Sequence, residues 1–234
     1  MRQEFLVDKG RSRLILLFGG WGSGPEMFSG CKTEDGYDML LCYDYRDLDF
    51  NYGLLDGYSE IRLIAWSMGV WVADTVLGSS DAGRRAAAKI SEAIAVGGTL
   101  SPVDDSCGIP TSVFNGTLDN LSDGSKADIT LRKFRRRMCG DHLEYFSSHL
   151  PSRTVAELRD ELAFLDEAVS GRCSEGEPLR WNYAVIGEKD MIFPAENQER
   201  AWKDRAGRVI RTASPHFDED LFSRLTEGEW IKTL

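Results

Sequence analysis

Apolar residues along this chain follow two different rhythms. One is a set of short runs: Leu14 to Phe18 is unbroken and stops at Gly19-Gly20, and similar short runs appear at Met39 to Tyr43, Ile61 to Ala65, Ile90 to Val96, Trp181 to Ile186 and Arg208 to Thr212. A strand covered on both faces has no solvent side, so it reads as continuous rather than alternating hydrophobicity. Segments with helical potential separate several of these runs, which predicts an α/β fold around a mostly parallel central sheet flanked by helices.

The second rhythm is helical and fills the stretch from Gly116 to Glu177. Ala127, Leu131, Phe134 and Met138 fall at helical spacing, and so do Leu143, Phe146 and Leu150. A third segment opens with Thr154 and Glu157 in a capping-box arrangement, carries Val155, Leu158, Leu162, Leu165 and Val169 on one face, and meets a stop at Gly171. The spacing therefore predicts a core made of residues 1–115 and 178–234, interrupted by a helical cap over residues 116–177.

Length and composition narrow the functional classes. A chain of 234 residues, 42% of them hydrophobic, can bury a sizeable core. Its formal charge of −10 argues against a nucleic-acid binder, which needs a dominant cationic face. The five cysteines (Cys31, Cys42, Cys107, Cys139 and Cys173) are odd in number and scattered, so neither a disulfide framework nor a zinc site is expected. No apolar run is long enough to span a bilayer, and the charged opening Met1-Arg2-Gln3-Glu4 has no signal-peptide core. The expectation is a cytoplasmic protein with no membrane association.

Chemistry concentrates where the run Ile61 to Ala65 passes into Trp66-Ser67-Met68-Gly69 and then a helix-like stretch, Val70 to Leu77. A serine on a sharp strand-to-helix turn is pushed outward above the carboxyl edge of the sheet, and only small residues fit two positions before and after it. Ala65 and Gly69 meet that demand, with alanine where glycine is more usual. This is the context that the nucleophile elbow of the α/β-hydrolase fold requires. Helix-terminal amides favour developing negative charge, so the Met68 N–H is one expected oxyanion donor. The loop Phe18-Gly19-Gly20-Trp21-Gly22 stands where the second donor belongs, which points to the Trp21 N–H, with the indole walling an acyl pocket.

In this fold the acid and the histidine follow the serine, each after a later strand. Asp190 follows the run that ends at Ile186, and His216 follows the run that ends at Thr212. The reading is Ser67 as nucleophile, His216 as base and Asp190 as the group that orients the imidazole. Of the three histidines, His142 and His149 lie in the helical insertion and read as surface residues. Glu188 reads as a solvated loop residue. Asp104, Asp105, Asp119 and Asp123 follow the preceding strand, where some members of the fold carry their acid. The run Asp44-Tyr45-Arg46-Asp47-Leu48-Asp49 reads as a solvated turn. No metal and no organic cofactor is called for by this chemistry.

One local feature runs against the global charge. Arg132, Lys133, Arg135, Arg136 and Arg137 fall together on the first helix expected in the insertion. Such a run is either a solvated face or a docking surface for an anionic partner.

Phe18-Gly19-Gly20-Trp21-Gly22, Ala65-Trp66-Ser67-Met68-Gly69, Gly97-Gly98-Thr99 with Gly108-Ile109-Pro110, and Gly116-Thr117-Leu118-Asp119-Asn120-Leu121 together resemble the BioG-type pimeloyl-acyl-carrier protein methyl ester esterases. The resemblance runs over nearly the whole chain. It implies a serine carboxylesterase that hydrolyses the methyl ester of pimeloyl-acyl-carrier protein, releasing methanol in biotin biosynthesis. It also implies Ser67, His216 and Asp190 as the triad and Trp21 and Met68 at the oxyanion hole. The partner it implies is an acidic acyl carrier protein, for which Arg132, Lys133, Arg135 and Arg136 are the expected contacts. A general carboxylesterase or acyl thioesterase, or a catalytically silent binding protein of the same fold, would share the same framework.

Overall fold

The computed structural model describes residues 1–171 and 178–228. Its centre is a seven-stranded sheet in the order β1-β3-β2-β4-β5-β6-β7, comprising β1 (Arg2–Val7), β2 (Arg13–Phe18), β3 (Tyr37–Tyr43), β4 (Glu60–Trp66), β5 (Ile90–Val96), β6 (Trp181–Gly187) and β7 (Ala206–Thr212). Strand β1 pairs antiparallel with β3, and every other pairing is parallel. The six runs read from the sequence are the six parallel strands. The edge strand β1 escaped that reading because its alternating residues are half exposed, giving it the polarity of a surface segment.

Side chains alternate between two cores, one on each face of the sheet. Leu14, Leu16, Phe18, Leu63 and Ala65 pack on one face with α1 (Met68–Gly78) and α2 (Asp81–Ala87), and Ile15, Leu17, Ile64 and Trp66 pack on the other. That double burial is the physical origin of the unbroken apolar runs.

Among the described residues, four α-helices lie between β5 and β6: α3 (Thr111–Ser122), α4 (Ala127–Cys139), α5 (Leu143–Ser148) and α6 (Val155–Ser170). The helical stretch thus starts at Thr111 rather than Gly116, which sits inside α3 where a Cβ would meet nothing. The cationic run belongs to the second of the four helices, not the first. Helix α5 ends before Leu150, which is 41% exposed instead of packed, because Pro151 disfavours a helical residue before it. Helix α6 begins with the Thr154–Glu157 capping box. The expected end of the insertion at Glu177, and Cys173, lie outside the described residues. Helices α7 (Ala195–Trp202) and α8 (Glu219–Thr226) follow β6 and β7 among the described residues.

Among the described residues no helix is long and apolar enough to cross a membrane. Cys31, Cys42, Cys107 and Cys139 carry no disulfide, and burial pushes the Cys31 thiol up to about 11 and that of Cys139 up to about 12. Neither is a ready thiolate at neutral pH.

Candidate active site

The parallel register brings the loops that matter to one edge. Phe18 pairs with Ala65, and Ala65 with Ala95, so the exits of β2, β4 and β5 lie side by side. Ser67 occupies the turn from β4 into α1 with φ 58° and ψ −131°, a left-handed backbone that a non-glycine residue adopts at a cost. The turn is enclosed on three sides by glycine. A Cβ on Gly69 would come within 2.6 Å of the Phe18 carbonyl oxygen, one on Gly20 within 2.9 Å of the Ser67 Cβ, and one on Gly98 would strike the Ser67 carbonyl oxygen. Ala65 is fully buried in the sheet and fits where glycine is more usual.

The structure brings Ser67, His216 and Asp190 into one hydrogen-bonded line. His216 Nδ1 lies 2.8 Å from Asp190 Oδ2, and His216 Nε2 lies 2.9 Å from Ser67 Oγ. An ionised carboxylate only accepts, so Nδ1 carries the proton and Nε2 is left to accept from the serine hydroxyl. All three residues are buried. Gly97, at φ +55°, leaves room for this line, since a Cβ there would sit 3.3 Å from His216 Nδ1.

Asp190 is held ready as an acceptor. Its Oδ1 accepts from the Ile192 and Phe193 amides at 2.8 and 2.9 Å, and its Oδ2 also accepts from Gln198 Nε2 at 3.1 Å. The imidazole stacks on Phe193, with rings 9° from parallel, and Trp66 Nε1 donates to the His216 carbonyl oxygen at 2.8 Å. A further tether runs from the Phe217 amide to the Met138 carbonyl oxygen at the end of α4, at 2.9 Å. Sequence reasoning did not find Gln198, Phe193 or the anchoring bond of Trp66. The elbow motif treats position 66 as free, and only the fold shows its indole reaching His216.

The rival acids stand elsewhere. Glu188 is exposed and pairs with Arg211. Asp104 caps a turn through the Ser106 and Cys107 amides, Asp105 accepts from the Thr111 amide, and Asp123 pairs with Lys126. Asp119 is exposed on α3. Of the other histidines, His149 stacks on Tyr145, and His142 pairs with Glu219 at 2.7 Å, joining the insertion to α8.

Trp21 and Met68 sit beside the serine, lining with it a cleft of about 330 Å³. Among the described residues neither the Trp21 nor the Met68 amide makes a hydrogen bond. The Trp21 indole is fixed by a bond to the Leu158 carbonyl oxygen at 2.8 Å and by edge contact with Phe134. The outer wall of the cleft comes from α3 and α4, including Asn120, Thr130, Lys133 and Arg137.

Helix α4 divides the cationic run among three directions. Lys133 and Arg137, one turn apart, face the cleft, and Arg132 and Arg136 are exposed on the remaining surface. Arg135 is half-buried and lines a second, smaller cavity with Phe134, Met138 and Phe146, and burial lowers its pKa. Among the described residues none of the five forms an ion pair.

The run beginning at Asp44 is the expected solvated turn only from Arg46 onward, where Arg46, Asp47 and Asp49 are exposed. Asp44 and Tyr45 are buried, and Arg153 Nη2 joins Asp44 Oδ1 at 2.9 Å to Glu161 Oε2 at 3.2 Å. Burial would raise Asp44, but Arg46, Arg153 and Arg2 outweigh it and hold the carboxyl below its usual value.

Sheet order and elbow define the class as an α/β-hydrolase, and a hydrolase from Pseudomonas aeruginosa shares the fold at a TM-score of 0.67 and 12% identity, over 98% of this chain and 92% of that one. The particular family follows from closer relatives. The family model described as "Pimeloyl-ACP methyl esterase BioG" matches residues 1–231, and the chain belongs to that family. The crystal structure of BioG from Haemophilus influenzae is 35% identical with a TM-score of 0.79, covering 95% of this chain and 97% of that one. A malonyl-acyl-carrier protein O-methyltransferase of Bacteroides fragilis (strain 638R) is 41% identical over 215 residues. That alignment takes in 90% of this chain but 41% of the relative, so this chain spans less than half of its length. Family membership supports a hydrolase.

Proposed function

We propose that this hydrolase is a serine carboxylesterase that cleaves the methyl ester of pimeloyl-acyl-carrier protein, yielding pimeloyl-acyl-carrier protein and methanol for biotin synthesis. The observation that carries the reading is the Ser67–His216–Asp190 line at 2.9 and 2.8 Å, at the edge of a cleft deep enough for an acyl chain.

Ser67 Oγ attacks the ester carbonyl as His216 Nε2 takes its proton, and Asp190 stabilises the resulting imidazolium. The tetrahedral oxyanion rests on the Trp21 and Met68 amides, and losing one such donor typically costs about two to three orders of magnitude in rate. Collapse expels methanol, which takes the proton from His216. Water, activated by the same imidazole, attacks the acyl-enzyme and releases the carboxylic acid with Ser67 restored. No step needs a metal or an organic cofactor.

The substrate class rests on the family and on charge. Acyl carrier proteins are acidic and present the acyl chain on a phosphopantetheine arm. Unpaired cations beside a cleft suit both features, with Lys133 and Arg137 at the wall meeting the arm's phosphate and Arg132 and Arg136 meeting the carrier's acids. The family name and that of the Bacteroides relative both refer to acyl groups on a carrier, which supports this reading. A reducing cytoplasmic setting belongs to it as well, in keeping with the free cysteines.

The test compares a carrier-bound methyl ester with a small aryl ester. Wild type should release methanol and leave the carrier thioester intact. R132E/R136E should lose roughly 10-fold or more in kcat/KM on the carrier substrate and far less on the aryl ester. Equal losses on both substrates would remove the docking role, and cleavage of the thioester in place of the methyl ester would make the protein a thioesterase.

A further inference from the structure

Ser67 is supported from the sheet, and His216 from the sheet with one tether to α4, but the loop that supplies Trp21 is held from α6. Gly20-Trp21-Gly22-Ser23 is a tight turn, closed by the Ser23 amide donating to the Gly20 carbonyl oxygen at 3.2 Å. Gly22 has φ +74°, and among the described non-glycine residues only Asp44 and Ser67 have positive φ. A negative φ at Trp21 followed by a positive one at Gly22 is a type II turn, in which the central peptide is flipped relative to type I. Its N–H, that of Gly22, points out of the turn and needs an acceptor.

That acceptor is Glu161 of α6. Its Oε2 lies 3.2 Å from the Gly22 amide, while its Oε1 accepts from the Tyr45 amide at 3.0 Å, so one carboxylate ties together the exits of β2 and β3. One turn earlier on the same helix, the Leu158 carbonyl oxygen holds the Trp21 indole. The Gly20–Trp21 peptide lies against the nucleophile, because a Cβ on Gly20 would be 2.9 Å from that of Ser67. With its carbonyl oxygen engaged by Ser23, the trans-related Trp21 N–H points the opposite way.

We propose that Glu161 is a positioning residue for the oxyanion hole. By accepting from Gly22 it selects the turn that aims the Trp21 amide, and so it makes turnover depend on how α6 seats against the sheet. This inference rests on the reading of Ser67 as nucleophile and Trp21 as oxyanion donor. Burial supports it. Glu161 is fully inaccessible and Arg153 nearly so, and burying an ion pair gains little over an apolar pair of the same size. Burial raises the Glu161 carboxyl to about 7, even with Arg153 and the Tyr45 and Gly22 amides working to lower it. A charge held at such cost, and spent on two backbone amides, fixes loops.

Two variants on the full chain test the role. E161Q keeps the shape but its amide nitrogen cannot accept, and E161L removes both acceptors. Rates on a small aryl ester are normalised to sites titrated to end point by a fluorophosphonate, so misfolded protein does not count. Affinity is measured for a trifluoromethyl ketone, whose hemiketal oxyanion occupies the same hole. E161L should lose about 10- to 100-fold in kcat with KM within about 2-fold, and bind the ketone correspondingly more weakly, with E161Q between it and wild type. If E161L yields no titratable sites, E161Q alone decides. Wild-type kcat per titrated site, or a kcat loss with undiminished ketone affinity, overturns the role. An S67A control separates the two ideas, because continued turnover in S67A would remove the nucleophile assignment itself.

Discussion

At the residue scale the site is built from groups whose partners lie far away in sequence. Glu161 and Gly22 are 139 positions apart, yet one hydrogen bond joins them. Glu161 also carries a pH signature. Its carboxyl rises from an ordinary 4.5 to about 7, first by burial, and the charged or titratable groups facing it are Arg153, Asp44, Arg46 and the Tyr45 hydroxyl. A carboxyl with a raised folded-state pKa contributes stability fully present below its unfolded value and lost as pH rises through the folded one. The folding free energy of E161Q relative to wild type should therefore move in the variant's favour between pH 4.5 and about 7, then level off. Urea unfolding across that range checks this, and an offset constant with pH would contradict it. The hydrogen-bonded line of Ser67, His216 and Asp190 was legible because its order along the chain and its strand-exit positions are local facts. Gln198 on Asp190, the Trp66 indole on His216 and the burial of Asp44 were not, because each depends on contacts that only folding creates.

At the element scale, β2 to β6 were legible because strands covered on both faces cannot hide their hydrophobicity. Strand β7, at the other edge with only Ile210 buried, was legible as a short run in the strand–helix alternation. Strand β1, at the edge, lacks that cover. Helix α3 was read as starting late because Gly116, normally a break, is tolerated where it faces open space beside the cleft. Gly69 is the opposite case, since α1 can approach the end of β2 only without a side chain there. G69A would press its methyl into the carbonyl oxygens of Phe18 and Gly19, separating the elbow from the Trp21 loop. The expected cost is at least ~4 kcal/mol, a fall in Tm of ~8–16 °C for a chain of this size. Thermal unfolding decides it, and a Tm close to wild type would show that α1 shifts freely.

At the scale of the whole molecule, the order of the sheet gathers four loop exits at one edge, and the insertion roofs them. Strand β2 leads to Trp21, β4 to Ser67, β6 to Asp190 and β7 to His216. From above, α6 holds the Trp21 loop and α4 tethers the His216 loop. A chain of net charge −10 thus presents its concentration of unpaired cations beside the cleft that leads to Ser67. All of this converges on a nucleophilic Ser67. The direct measurement is peptide mapping after reaction with a fluorophosphonate, on wild type and on H216A. The account predicts a stoichiometric adduct on Ser67 in wild type, formed at least roughly 1,000-fold more slowly in H216A. A serine that stays unmodified, or one labelled equally fast without the imidazole, would contradict it.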